Sequence, residues 1–198
     1  MAKYDLDKIV GDLDPGKINE KVELGHRKAR NKYSLKDIQI KDYNAFLNET
    51  IAYLKHHHKE VFGTSMPDHV ASGKARQVLD QLYKKQGGIV GAYKEAKKGN
   101  MGKVIDSLAD AMESEERANY VQHVMNQIDP QDFDGHVGIA RQYVSKFGNL
   151  LPQDMKKKSP EELAQHYDAL IDHHIGVVES VKSQIKKYEP GKPAKKAA

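Results

Sequence analysis

Apolar residues recur along most of the chain at intervals of three and four positions, the spacing of one face of an α-helix. The clearest stripes cover residues 43–62, 71–82, 101–112, 133–147 and 163–185, and weaker ones cover 5–10, 17–30 and 89–98. Only residues 35–40 alternate in a way that suits a strand, and they do so only in part. The pattern predicts an all-α, multi-helix bundle of about six to eight helices.

Capping residues predict where several of these helices begin and end. Ser65, Asp129 and Ser159 are each followed within three residues by a proline and an acidic residue. This order suits a side-chain N-cap and a carboxylate in the first turn. Gly63 follows the last apolar residue of its stripe, as a left-handed C-cap does. We therefore expect helices to start at the three polar residues and one to stop at Gly63.

The stripe within residues 104–128 changes direction partway along. At 100° per residue, Leu108 and Met112 point one way and Met125 points almost the opposite way. A stripe that rotates in this manner is typical of two consecutive helices. We predict a break in this segment, with Ser114 as the second N-cap.

The length of the chain suits one ordinary domain with a substantial core, since it has 198 residues. We predict a single helical domain over residues 1–188, with residues 1–33 as an alternative, loosely packed N-terminal arm. Residues 189–198 consist mainly of Lys, Pro and Ala and contain no large apolar side chain. They are predicted to form a disordered basic tail.

Composition excludes several classes of site. The chain contains no cysteine, which excludes disulfides, a thiolate nucleophile and Cys-ligated zinc or iron–sulfur centres. No apolar run approaches the roughly 20 residues that span a bilayer. The first residues alternate charged and apolar positions and lack the apolar core of a signal peptide. We therefore expect a cytoplasmic protein without a membrane span.

The charge of the chain is distributed unevenly. The net charge is +4, and residues 186–198 alone carry five lysines and one acid. The rest of the chain is therefore neutral. Within it, residues 73–103 carry eight basic and two acidic residues, whereas residues 104–134 carry eight acidic residues and one arginine. This segregation favours a protein partner that contacts a charge-polarised surface.

The basic segments also suit weak, non-specific contact with nucleic acid, because lysines that neutralise phosphates give a salt-dependent affinity. Tyr83 and Tyr93 lie among the lysines of residues 73–103, and interleaved aromatic and basic residues suit single strands. The candidate contacts to nucleic acid or to an acidic partner are Lys84, Lys85, Lys94, Lys97, Lys98, Lys192, Lys195 and Lys196.

Ten histidines make metal binding a further hypothesis, because imidazoles and carboxylates that converge between helices form di-metal centres. The candidate ligands on or beside apolar stripes are His57, His58, Glu115, His136 and His174. Ferritin-type centres carry a Glu-x-x-His pattern on each of two helices, and such a pair of patterns is absent. A histidine at the edge of a stripe is also typical of a partly buried side chain that is hydrogen-bonded to a neighbour.

No complete catalytic motif occurs. Residues 99–103 lack the spacing and the hydroxyl residue of a phosphate-binding loop, and no Gly-x-Ser-x-Gly elbow is present. The leading hypothesis is a non-enzymatic helical binding or adaptor protein that needs no cofactor. The alternatives are a helical bundle that binds a transition metal ion, and a nucleic-acid-associated protein that uses the basic tail and residues 73–103.

Overall fold

The computed structural model describes residues 3–32, 43–83, 88–95, 97–98 and 101–188, and over these residues the chain is all-α, as predicted. The α-helices are α1 (Leu6–Asp12), α2 (Pro15–Lys32), α3 (Tyr43–Phe62), α4 (Asp68–Tyr83), α5 (Gly88–Glu95), α6 (Met101–Met125), α7 (Phe133–Phe147), α8 (Gln153–Lys156), α9 (Pro160–Gln165) and α10 (Tyr167–Tyr188). A 3₁₀ turn at Gly148–Leu150 follows α7. Among the described helices, none combines the length and apolarity needed to cross a membrane.

The described residues form two compact units. Unit 1 contains residues up to 19 and from 117 onward, and unit 2 contains residues 20–116. Buried side chains of unit 2 include Ala29, Phe46, Leu47, Tyr53, Leu54, Ala75, Val78, Leu79, Leu108 and Met112. Those of unit 1 include Ile9, Val10, Leu13, Ile18, Val121, Val124, Met125, Ile139, Tyr143, Phe147, Leu163, Leu170 and Val178. A single domain over residues 1–188, with or without an N-terminal arm, stays a prediction.

Helix α6 is continuous, so the predicted break at Ser114 is wrong. The apolar stripe rotates for a different reason. Leu108 and Met112 are buried in unit 2, whereas Met125 is buried in unit 1. One helix therefore supplies buried side chains to two units, and Glu116 is its last residue in unit 2.

Two of the predicted helix ends are confirmed. The Ser159 hydroxyl accepts a hydrogen bond from the Glu162 backbone N–H at 3.2 Å, and the Glu162 carboxylate accepts one from the Ser159 N–H at 2.7 Å. This reciprocal pair is a capping box at the start of α9. Gly63 follows α3 with a φ of 77°, a conformation that favours glycine.

Two other helices begin three residues later than predicted. Helix α4 starts at Asp68 rather than next to Ser65, and α7 has Asp132 rather than Asp129 as its N-cap. The Asp129 carboxylate instead accepts a hydrogen bond from the N–H of Gln131 at 3.0 Å. It stabilises a turn that precedes the helix, since Asp side chains bond to backbone two residues on.

Candidate metal centre

Three buried polar side chains of unit 2 face one another: His26 of α2, His57 of α3 and Glu116 of α6. Their exposed fractions are 8%, 1% and 3%. Each offers one ligand atom, and the three atoms lie within 4.8 Å of one another. No other group of three His, Asp or Glu side chains with this geometry occurs in the part of the chain that the structure describes.

The register of each helix explains why these side chains point inward. His26 lies four residues after Val22 and three before Ala29, and both of those apolar residues are buried. Glu116 follows buried Met112 by four residues. Residues three or four apart lie on the same face of a helix. The two polar side chains therefore share the buried face of their apolar neighbours.

Gly25 permits a close approach of α2 to α3 beside this cluster. A Cβ at this position would lie 2.6 Å from Cγ2 of Val61 and 3.1 Å from Nε2 of His57. The rings of His26 and His57 are stacked, with 3.9 Å between their centroids and 17° between their planes. The absence of a side chain at Gly25 thus allows the two imidazoles to meet.

The Glu116 carboxylate faces one nitrogen of each ring. Its Oε2 lies 2.7 Å from Nε2 of His26, and its Oε1 lies 2.8 Å from Nδ1 of His57. The contact between Glu116 and His26 does not have hydrogen-bond geometry. Oε2 of Glu116 and Nε2 of His26 are therefore buried without a hydrogen-bond partner. A buried anion is costly unless it is paired. The carboxylate therefore requires either a donated imidazole proton or a metal ion at this contact.

The charge state of Glu116 supports this requirement. Burial raises the pKa of its carboxyl, but the close contacts with His26 and His57 outweigh burial and lower the pKa from 4.5 to about 2. The group is ionised at neutral pH. An ionised carboxylate with two imidazoles is a donor set that Zn²⁺ and related ions accept, and it leaves one position of a tetrahedral ion open.

Tyr53 orients His26 from the opposite side of the ring. Its hydroxyl oxygen lies 2.8 Å from Nδ1 of His26, and the residue is fully buried. Burial, followed by the charge of Glu116, raises the pKa of the phenol, which therefore stays neutral. When Nδ1–H donates to Tyr53, the lone pair of Nε2 faces Glu116. Partners of this kind fix the tautomer of metal-binding histidines.

Of the five predicted ligands, only His57 belongs to this cluster. Nδ1 of His58 lies 2.6 Å from the carbonyl oxygen of Thr64. Glu115 is exposed and forms an ion pair with Lys74 at 3.0 Å. That pair also joins the predicted basic and acidic segments at one point. The sequence hypothesis did not include two members of the cluster, His26 and Glu116.

The other two predicted ligands lie in unit 1, and each has its own partners. His136 stacks on Tyr167 with 4.1 Å between centroids and 7° between planes. His174 is fully buried, with Nδ1 2.7 Å from the Tyr143 hydroxyl and Nε2 2.6 Å from the Leu13 carbonyl oxygen. Burial lowers the pKa of His174 from 6.5 to about 4. Both nitrogens of this neutral imidazole are therefore occupied by hydrogen bonds.

The predicted lysine contacts fall into two groups. Lys94, Lys97 and Lys98 are exposed, and Nζ of Lys97 lies 5.5 Å from the centroid of the Tyr93 ring. The remaining candidates lie outside the described residues, as does the tail predicted to be disordered: Lys84, Lys85, Lys192, Lys195, Lys196 and residues 189–198.

Comparison with protein-family models, with curated proteins and with solved structures found no match to this chain. Function is therefore inferred from the chemistry of the residues themselves.

Proposed function

We propose that this protein binds one divalent transition-metal ion of the Zn²⁺ class through His26, His57 and Glu116. The observation that supports the proposal most is a buried carboxylate facing one nitrogen of each of two stacked imidazoles. The cluster has a single carboxylate, whereas di-metal centres of helical bundles use several. The residues therefore suit one ion rather than two.

The donor set favours a particular class of ion. Two imidazoles and one carboxylate suit Zn²⁺, Co²⁺ and similar ions, whereas Mg²⁺ and Ca²⁺ prefer oxygen ligands alone. Ligands about 2.1 Å from a tetrahedral ion lie about 3.4 Å from one another. The ligand atoms here lie within 4.8 Å of one another, and two of the pairs are at 2.7 and 2.8 Å. The carboxylate and the two imidazoles must therefore move apart by up to about 1 Å to admit the ion.

The positions of the ligands suit a structural role. They lie on α2, α3 and α6 of unit 2, far apart in the sequence, so one ion links three helices. An ion that binds only the folded state stabilises that state. Three protein ligands with an open fourth position are typical of catalytic zinc sites, but a catalytic ion also needs access for a substrate. The ligands here are at most 8% exposed, and this burial favours a structural ion.

The adaptor and nucleic-acid hypotheses stay predictions. The exposed side chains of Lys94, Lys97 and Lys98 are compatible with either. In the described residues they form no feature that selects between a protein and a nucleic acid. The metal hypothesis is favoured because three potential ligand atoms lie within 4.8 Å of one another.

Titration of the full-length, tag-free chain with Zn²⁺, after removal of metal by a chelator, tests the proposal. We expect one ion to bind per chain. At a free concentration of about 100 times Kd, the ion should raise the free energy of unfolding by about 2.7 kcal/mol. For a chain of this size the unfolding midpoint should then rise by roughly 5–10 °C.

Matched variants separate the cluster from loosely binding surface histidines. His57→Gln and Glu116→Gln should each weaken binding by more than the roughly 10–100-fold that loss of an outer partner costs. His69→Gln removes an exposed histidine of the same unit and should bind as the wild type does. Wild-type affinity in Glu116→Gln, or a loss in His69→Gln as large as that in His57→Gln, would disprove the proposed site.

A further inference from the structure

Unit 1 contains a cavity of about 320 Å³ that the proposed metal site does not use. Its wall includes His136, Tyr167 and Asp168, together with the apolar side chains of Ile128 and Ile171. Small-molecule sites typically have volumes of roughly 300–1,000 Å³ and combine an apolar wall with a few polar groups. The cavity has the size and lining of a site for a compact ligand.

His136 is held in a fixed orientation at this wall. Its ring stacks on Tyr167, and the Tyr167 hydroxyl donates a hydrogen bond to the carbonyl of Met125 at 3.2 Å. His136 is only 9% exposed. Its ring nitrogens form no hydrogen bond with a described residue, and neither is among the fully buried, unpartnered atoms. They are therefore accessible to a ligand in the cavity.

Asp168 sets the charge of the cavity. It is exposed at the cavity mouth, lies in the first turn of α10 and forms no ion pair with any residue that the structure describes. Among the residues that the structure describes, no Lys or Arg lines the cavity. A carboxylate accepts two parallel N–H bonds from a planar cation such as an amidinium or guanidinium group. The apolar side chains of Ile128 and Ile171 suit the body of such a molecule.

We propose that this cavity binds a small amidinium or guanidinium compound with an apolar body. Asp168 is its counter-ion, and His136 accepts a further hydrogen bond from it. All the residues involved belong to unit 1, so the proposal does not depend on the metal site.

Benzamidine and its neutral isostere benzamide test the proposal. The full-length chain is labelled with ¹³C-histidine, and the His136 signal is assigned by its loss in His136→Gln. Benzamidine should shift that signal saturably, and benzamide should bind about three- to fivefold more weakly, because it lacks the positive charge that pairs with the exposed Asp168 carboxylate.

Variants of two acids on α10 provide the matched comparison. Asp168→Asn should weaken benzamidine binding about three- to fivefold, the range for an exposed ion pair. Asp172→Asn changes another exposed acid one turn further along the helix, outside the lining of the cavity, and should leave the affinity unchanged. No saturable shift, equal affinity for the two compounds, or unchanged benzamidine affinity in folded Asp168→Asn would overturn the proposal. If Asp168→Asn does not fold, the comparison of the two compounds on the wild type decides the outcome.

Discussion

Acid should destabilise unit 1 through His174. This side chain is fully buried, its Nε2–H donates to the Leu13 carbonyl, and its Nδ1 accepts from the Tyr143 hydroxyl. The neutral imidazole therefore satisfies both of its nitrogens. Protonation would direct a second N–H at the Tyr143 oxygen and place a charge in a site that is closed to solvent. Burial accordingly lowers the pKa of His174 to about 4.

The direction and size of the effect follow from this pKa. In the unfolded chain His174 has an ordinary pKa of 6.5, so between pH 6.5 and pH 4 the unfolded chain binds a proton that the folded chain does not. The stability contributed by the neutral ring is complete above pH 6.5 and is lost as the pH falls through this window. The loss amounts to about 2 kcal/mol by pH 5 and about 3 kcal/mol below pH 4.

Urea unfolding at about pH 7.5 and about pH 5 measures this loss. In His174→Gln the side chain retains an N–H for Leu13 but does not titrate. The free energy of unfolding should therefore fall by about 2 kcal/mol less than in the wild type over the same interval. His166→Gln, which changes an exposed histidine of the same unit, should follow the wild type. Equal losses in the wild type and His174→Gln would refute the reasoning.

Further substitutions test the helix contacts and the metal centre. Gly25→Ala should lower the free energy of unfolding by about 1–3 kcal/mol and weaken Zn²⁺ binding, because the added methyl group overpacks α2 against α3. Gly73→Ala has nothing within 4 Å of the new Cβ and should raise the free energy of unfolding by up to about 1 kcal/mol. If urea unfolding shows that both substitutions change this free energy in the same direction, the close packing of α2 against α3 at Gly25 is contradicted. In urea unfolding, Ser159→Ala should lower the free energy of unfolding by about 1 kcal/mol, and Ser159→Asp should lower it much less. Equal losses in the two variants would exclude a capping role for Ser159. Tyr53→Phe should weaken Zn²⁺ binding roughly 10–100-fold, measured by competition with a chelator, and should still bind one ion per chain. An unchanged affinity would show that the Tyr53 hydroxyl does not orient His26.

The members of the metal centre differ in how visible they are in the sequence. His26 shares the stripe of Val22, so its inward position was predictable. It ends a Glu-x-x-His pattern that begins at Glu23, but the pattern occurs once, whereas di-metal bundles carry it on two helices, and Glu23 is exposed. Glu115 lies seven residues after Leu108, two helical turns further along, and this spacing favours it as the inward carboxylate. In the structure the buried residues of α6 are instead four apart, at Leu108, Met112 and Glu116. Both spacings are compatible with 3.6 residues per turn. Only the packing against α2 and α3 selects between the two carboxylates.

Helix α7 shows what the apolar pattern does not contain. Its apolar stripe over residues 133–147 includes Phe133 and Val144, yet these two side chains are 45% and 37% exposed. The helix is instead approached closely at Gly138, where a Cβ would lie 2.7 Å from Cδ1 of Leu6. Glycine has no side chain, so a helix face that is buried by close approach at a glycine does not appear in the pattern of apolar residues. The helical period itself is local and was predictable throughout the described helices.

X-ray absorption at the zinc edge, on the full-length chain with one equivalent of Zn²⁺, tests the proposed metal centre most directly. The proposed site predicts N/O ligands at about 2.0–2.1 Å, with the outer-shell scattering of two imidazoles. His26→Gln should remove one imidazole from the spectrum, and His69→Gln should leave it unchanged. A spectrum that His26→Gln does not alter would place the ion elsewhere, for example on the neighbouring histidines at positions 56–58, and would contradict a site between α2, α3 and α6.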